Sequence, residues 1–389
     1  MNLLRPSPQE LLLGIVWTGG LLSAVVVLCA WAAQHLIPTA VGRARLWQHT
    51  GYAILFSLFL SCVLPHVYLF YDGQLEPLPF PGLRRPDQDV APVRLLSHFG
   101  LPKRLALEVV VAVWGTGAAL GLFRFLAQLR RAVVLTRSGR ALSTAEVRAL
   151  LGSPPTLHRR PREEIVVRFT PAVPIAACWW FSRPVVVLSA RLRREPRPLV
   201  RAILLHELGH LELNHTLANG VYWLLRTCFW FNPLVYLALA NFRRWAERAC
   251  DEFAVRQGYD VRDYAALLIR TILDHHGIGP ASARAEPVVN TFVCCRERKE
   301  LLSRLRWLVE QERLSANSPI RGVVARILVW GAAAVASFVR LAPGETSFAT
   351  GRLTWTAWPP ATANAASLFG ISLRDYPLDA FIYDRVDPD

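Results

Sequence analysis

Four long apolar runs constrain this chain more than any other feature. They cover residues 10–34 (ELLLGIVWTGGLLSAVVVLCAWAAQ), about 51–71 (GYAILFSLFLSCVLPHVYLFY), about 105–127 and about 322–341. Each is close to the length of helix that crosses a bilayer. In lipid the backbone must satisfy its own hydrogen bonds, so the runs predict helices, the first of them a retained span. Arg326 and Arg340 lie near the ends of the last run, where their heads can reach the interfaces. With 53% hydrophobic and 19% charged residues in 389, the composition agrees with a membrane protein that has a polar part.

The formal charge of +15 comes from 44 basic against 29 acidic residues, with Lys only at 103 and 299. Such an excess suits a nucleic-acid binder or a chain obeying the positive-inside rule, and the apolar runs favour the second. Arg43 and Arg45 follow the first run, and Arg130, Arg131, Arg137 and Arg140 follow the third. Those flanks are expected to be cytoplasmic, which leaves the N-terminus, the loop 72–104 and the net acidic tail 342–389 outside. The expected organisation is three transmembrane helices with loops in 1–128, a cytoplasmic domain in 129–318, a fourth transmembrane helix in 319–341 and a short extracytoplasmic tail in 342–389. Seven cysteines without paired spacing read as reduced thiols, including the adjacent Cys294 and Cys295.

The polar region holds every motif that suggests chemistry. EEIVVRFT and RPVVVLSARL have the β-branched runs of strands, whereas PRPLVRAILLHELGHLELNH, NFRRWAERACDEFAVRQG, DVRDYAALLIRTILDHH and RERKELLSRLRWLVEQER read as helices. Within the first helix, HELGH places His206 and His210 one turn apart on one face, where a single tetrahedral ion can take both. Glu207 is the candidate general base, aimed at water whose pKa a zinc ion lowers to roughly 7. The later ERACD supplies Glu247 as a third ligand and, one turn on, Asp251 to accept the second N–H of a ligating imidazole. HExxH alone has modest specificity; joined to ExxxD it becomes much more specific.

His215 does not fit a third-histidine spacing and is expected to make a polar contact at a helix end, with Glu212 a solvated carboxylate. The apolar stretch 217–242 is long enough to cross a bilayer, but Glu247 must return to His206 and His210. Asn219-Gly220, Arg226 and Asn232-Pro233 interrupt it, so it predicts a re-entrant or interfacial hairpin. Ala176, Ala177 and Cys178 are small enough to form an edge strand for an extended substrate; ordinary core packing around Trp179 and Trp180 is the alternative. The oxyanion-stabilising group stays open among Tyr264, Asn290 and the arginines.

LLHELGHLELNHTLAN, FNPLVYLAL, RRWAERACDEFAV and DYAALLIRTI, in that order, resemble the BlaR/MecR-type antirepressor membrane metallopeptidases from roughly residue 120 to 340. The resemblance implies a multi-pass α-helical bacterial plasma-membrane protein carrying a cytoplasmic α+β zincin-like (gluzincin) domain. It also implies Zn2+ on His206, His210 and Glu247, and a protein substrate of the winged-helix BlaI/MecI repressor type. Direct nucleic-acid contact is not implied, and a homodimer is left open. Glu212, Leu213 and His215 depart from the family's usual residues. Neither lysine follows a serine by three positions, so acylation by β-lactams through S-x-x-K is not expected. Two other readings stand beside this one: a quality-control or processing protease resembling the HtpX and CAAX group, and a non-catalytic receptor or scaffold. An intact Glu207 speaks against the last.

Overall fold

The computed structural model describes residues 8–63, 66–69, 102–152, 165–173, 175–180, 183–275, 300, 302–310, 319–341, 355–357 and 376–377. Asn290, Cys294 and Cys295 lie outside them. The described cysteines 29, 178, 228 and 250 are free thiols.

Four long helices come from the apolar runs: α1 (Pro8–Ala33), α2 (Ala40–Val63), α3 (Lys103–Arg137) and α10 (Pro319–Phe338). The second run is helical only in its first part. The helix starts upstream at Ala40 and ends at Val63, and β1 (His66–Leu69) follows Pro65, whose ring disfavours helix in the residue before it. Likewise α10 gives way to β6 (Val339–Leu341). Strand β1 pairs in parallel with β6 and antiparallel with β7 (Trp355–Ala357), which in turn pairs with β8 (Tyr376–Pro377). This small sheet joins the ends of α2 and α10 to segments of the tail. Among the described residues, Glu108–Arg137 and Ile320–Ser337 are long and apolar enough to cross a membrane.

The second unit contains a four-stranded sheet in the order β2-β3-β5-β4, built from β2 (Arg140–Ala141), β3 (Val166–Thr170), β4 (Ala176–Trp180) and β5 (Pro184–Ser189). Strands β3 and β5 are parallel, and β4 runs antiparallel along one edge, with Ala177 opposite Val187. The short helix α4 (Thr144–Leu151) opens with a capping box in which Ser143 and Glu146 satisfy each other's backbone N–H. Helix α5 (Arg197–Glu212) starts with Pro198 in its first turn, where a missing N–H costs nothing, and buries Leu204, Leu205, Leu208 and Leu211 against Val167, Val186 and Leu188 of the sheet.

The predicted helix through HELGHLELNH stops at Glu212. Asn214 takes the left-handed conformation (φ 56°), and the next helix, α6 (His215–Cys228), begins with His215. Asn232 then caps α7 (Pro233–Arg256) by accepting from the Leu234 N–H at 2.9 Å. The predicted hairpin and the predicted ERACD helix are therefore not separate elements. Helix α7 is one rod from the hairpin tip to Arg256, carrying Glu247 and Asp251. Helix α8 (Val261–His275) and helix α9 (302–310) complete this unit.

The hairpin α6–α7 packs among the long helices. Tyr222 donates to the Trp47 carbonyl at 2.6 Å, and Asn232 donates to Ser23 Oγ at 2.7 Å and to the Gly20 carbonyl at 3.3 Å. Trp114 of α3 donates to the Cys228 carbonyl at 2.9 Å, and Trp230 returns a bond to the Trp114 carbonyl at 3.2 Å. A Cβ at Gly117 would lie 2.3 Å from the Trp230 indole, so only glycine admits the rigid ring there. Gly117→Ala is expected to lose about 1–3 kcal/mol of stability by overpacking. Gly115→Ala, where a Cβ meets nothing within 4 Å, should be neutral or slightly stabilising. Thermal unfolding of the two variants in one detergent makes the comparison, and equal melting temperatures would rule out the seating of Trp230 described above.

Candidate metal centre

The centre forms where α5 crosses α7. Gly209, inside HELGH, lets the two backbones approach: a Cβ there would sit 3.2 Å from the Cys250 Cα. The crossing sets the histidine face of α5 opposite the carboxylate face of α7. His206 Nε2 lies 3.4 Å from Glu247 Oε2, and His210 Nε2 lies 3.6 Å from Glu247 Oε1. Two imidazole nitrogens and two carboxylate oxygens thus converge on one point.

The other nitrogen of each imidazole is also engaged, by chemically different partners. His206 Nδ1 is 3.0 Å from Asp251 Oδ1, while His210 Nδ1 is 3.1 Å from His215 Nδ1. Both Nε2 atoms are thereby turned toward Glu247. This donor set fits a divalent ion of borderline softness such as zinc, with two imidazoles and a carboxylate and a side left open to the cleft. Cys250 is a further soft donor close to both imidazoles. It is fully buried and sits 3.5 Å from His215 Nδ1, behind His210, and burial pushes its thiol pKa well up. The oxygens that both Nε2 atoms face belong to Glu247.

Asp251 is completely buried yet ionised. Burial opposes its charge, but Arg304 donates from Nε to Oδ2 at 2.7 Å and from Nη2 to Oδ1 at 2.6 Å, and together with His206 it holds the carboxyl well below the usual carboxylate range. Tyr264 Oη donates to Asp251 Oδ1 at 2.9 Å and lies 3.3 Å from His206 Nδ1. Burial and then Asp251 push the Tyr264 phenol well up, so it stays a neutral donor. Arg304 also brings Nη1 to 3.3 Å from Glu247 Oε2. Desolvation acts against the Glu247 charge, but the His206 hydrogen bond and Arg304 hold its pKa well below normal. Burial likewise works against protonated His206, yet Asp251 and Glu247 prevail and raise it to about 10. Burial lowers His210, and takes His215 well below its ordinary value.

Glu207 projects beside this group toward β4. Burial, then the nearby Glu207 carboxylate, push the Cys178 thiol pKa well up. Strand β4 is one of the two edge strands, so among the described residues no strand pairs with Ala176, Ala177 and Cys178 on the side away from β5. A cleft of about 200 Å³ runs past His206 and Glu207, walled by Ile175, Leu199, Ile203, Leu267 and Leu268, with Tyr264 and Arg304 at its floor.

Of three further residues, one departs from its sequence reading, one keeps it and one had none. Glu212 is buried (7% exposed) rather than solvated. His215 opens α6 as a buried partner of His210, so the polar contact expected of it is made to an imidazole of the centre. Arg304 was not singled out, although it interrupts an apolar stripe of Leu301, Leu305 and Leu308, and a charge on such a stripe signals a buried partner.

The model of the BlaR1 peptidase M56 family matches residues 99–299, just over half of the chain. Over 151 residues the chain is 27% identical to the regulatory protein BlaR1 of Bacillus licheniformis, a stretch amounting to 38% of this chain and 24% of that protein. The chain thus matches about a quarter of that relative's length.

Proposed function

Because this chain belongs to the BlaR1 peptidase M56 family, we propose that it is an integral-membrane zinc endopeptidase of a bacterial plasma membrane that cleaves a cytoplasmic transcriptional repressor. The observation that carries this reading is the convergence of His206 Nε2 and His210 Nε2 on the two oxygens of Glu247, with Glu207 beside them at a sheet edge. Zinc, once bound, supplies Lewis acidity that polarises a peptide carbonyl and acidifies water near neutral pH. Glu207 takes a proton from the attacking water and returns it to the leaving amine. The free edge of β4 aligns an extended substrate backbone, and the apolar cleft accepts a hydrophobic side chain next to the scissile bond. Tyr264 and Arg304 are committed to Asp251, so their part is to orient His206.

Residues 129–318 act as the cytoplasmic peptidase unit in this reading, and 342–389 lie outside. Side chains that are apolar yet exposed, such as Phe59, Phe123, Ile320 and Ile327, support a lipid-facing belt. The cationic flank after α1 is on the same side as the metal centre, since the Arg43 guanidinium lies 4.5 Å from the Trp245 ring, two residues before Glu247. The hairpin tip meets α3 at Trp114, near the middle of its uncharged stretch 109–123. From Asn232 to Glu247 the helix rises roughly 22 Å, at ~1.5 Å per residue. Half of the hydrocarbon thickness is about 15 Å. A tip at the midplane therefore sets Glu247 just beyond the cytoplasmic edge of the lipid, which supports a re-entrant hairpin over an interfacial one.

The test is cleavage of a purified winged-helix repressor of the BlaI/MecI type by full-length chain in detergent, with and without chelator. Cleavage that survives complete metal removal would end the zinc reading. A pH effect accompanies it. In the metal-free chain the His206 pKa is raised from 6.5 to about 10, so its stabilising contribution is complete below about 6.5 and lost as pH rises through about 10. Zinc binding at neutral pH must then expel this proton, and affinity should climb about tenfold per pH unit between pH ~7 and ~9. Titration calorimetry in buffers of different ionisation enthalpy reads the released proton directly; no release near pH 7 would contradict the charge assigned to His206.

A further inference from the structure

Helix α7 carries two carboxylates one turn apart, Glu247, whose side chain is partly exposed, and Asp251, which is fully buried. One guanidinium touches both. Arg304 forks onto Asp251 through Nε and Nη2 at 2.7 and 2.6 Å and reaches Glu247 with Nη1 at 3.3 Å. We propose that Arg304 is a positioning residue of the metal centre, fixing Asp251 and Glu247 together so that the His206 imidazole and the Glu247 carboxylate are held facing one point. The proposal rests on the metallopeptidase reading and goes beyond it by adding a residue from a helix outside the two motifs.

Asp251 is fully buried, takes both donors of the Arg304 fork and lies 3.0 Å from His206 Nδ1, so the guanidinium fixes the carboxylate that seats the ring. A carboxylate partner orients a ligating imidazole, and an Asp251 free to turn would carry His206 Nε2 away from Glu247. Arg304 supplies permanent charge that cannot be given away as a proton, and its planar fork fixes the carboxylate plane, which a lysine cannot do. Its repulsion of a dication is blunted because Asp251 neutralises it at close range.

Arg304 belongs to α9, so the centre is complete only while α9 lies on α7. The seam that holds it there is continuous. Arg248 donates to Ser303, and Trp245 meets Trp307 edge to face with centroids 5.1 Å apart. The guanidinium of Arg43, at the start of α2, lies 4.5 Å from the Trp245 ring and 5.3 Å from the Trp307 ring. Loss of the seam removes Arg304 without touching any ligand.

The experiment measures zinc affinity by competition with a chromophoric chelator, and the visible spectrum of the cobalt-substituted centre, on full-length protein in detergent. Arg304→Ala is expected to weaken zinc binding about 10–100-fold and to alter the cobalt bands. Guanidinium at tens of millimolar should restore much of this, while the same concentration of sodium chloride should not. Arg304→Lys should fall between wild type and Arg304→Ala. Trp307→Ala, which loosens the seam and leaves Arg304 and every donor of the centre in the chain, should weaken zinc binding in the same direction, with circular dichroism checking that each variant is folded. Zinc affinity within threefold of wild type in Arg304→Ala or Trp307→Ala overturns the proposal, as does an equal loss in Arg304→Lys and Arg304→Ala that guanidinium does not relieve. These outcomes leave the metallopeptidase reading standing, whereas wild-type protein whose zinc affinity is indifferent to His206→Ala brings down both.

Discussion

Glu207→Gln is expected to retain stoichiometric zinc while proteolysis falls about 10²–10⁴-fold, the span that a general acid–base group commonly contributes. Gln keeps the length and hydrogen-bonding shape of Glu and loses only its capacity to take a proton. Glu207 lies beside Cys178 on the β4 side, while the convergent donors are His206, His210 and Glu247, so the exchange should leave the metal ligands as they are. His206→Ala, in contrast, removes a donor and should abolish both zinc binding and cleavage. The measurement pairs metal analysis of detergent-purified protein with a cleavage assay on the same preparation. A Glu207→Gln protein that cleaves at the wild-type rate would sink the mechanism. Wild-type protein without stoichiometric metal would favour a receptor or scaffold that kept the peptidase fold.

Asp251→Ala should be the most destabilising single change at the site. Asp251 has no exposed surface and accepts from Arg304, Tyr264 and His206. Deleting it leaves Arg304 with Glu247 alone, at 3.3 Å, and removing one partner of such a buried pair typically costs ~3–5 kcal/mol. The contribution belongs to the ionised carboxylate, whose pKa is depressed, so it is present at neutral pH and is lost only in strong acid. Replacing both partners with apolar residues of similar size, Asp251→Leu with Arg304→Met, should recover much of the stability, because no buried charge is left unpaired. Zinc affinity should not return in the double variant. Thermal unfolding of the three proteins without metal tests the first part, and chelator competition the second. An Asp251→Ala protein as stable as wild type would show that the Arg304–Asp251 pair is not held in a low-dielectric site.

How much of this was legible in the sequence depends on the range of the interaction. His206 and His210 share a helix face by spacing alone, and so do Glu247 and Asp251, because side chains at i and i+4 lie one turn apart whatever surrounds them. The apolar character of 217–242 and its interruption at Asn232-Pro233 foretold a reversal there, for Asn caps and Pro starts a helix locally. The boundary of α2 was misplaced because hydropathy does not distinguish a helix end from the β-strand beyond Pro65. That α7 runs unbroken from the tip to Arg256 was hidden by its change of composition midway, from apolar to charged, as it leaves the packed bundle.

Local sequence thus determined the helices, the reversal at Asn232-Pro233 and the two halves of the candidate ligand set. Tertiary structure alone decided what stands behind each imidazole. Asp251 and Arg304 back His206, joined across 53 positions, while neutral His215 backs His210. It also decided that Glu212 is buried and that β4 is one of the two edge strands of its sheet. The physical reason is that a charge or an imidazole on an amphipathic helix looks the same in sequence whether water or a distant helix receives it. Only the crossing of α5, α7 and α9, permitted at Gly209 and stapled by Trp245 and Trp307, chooses between the two.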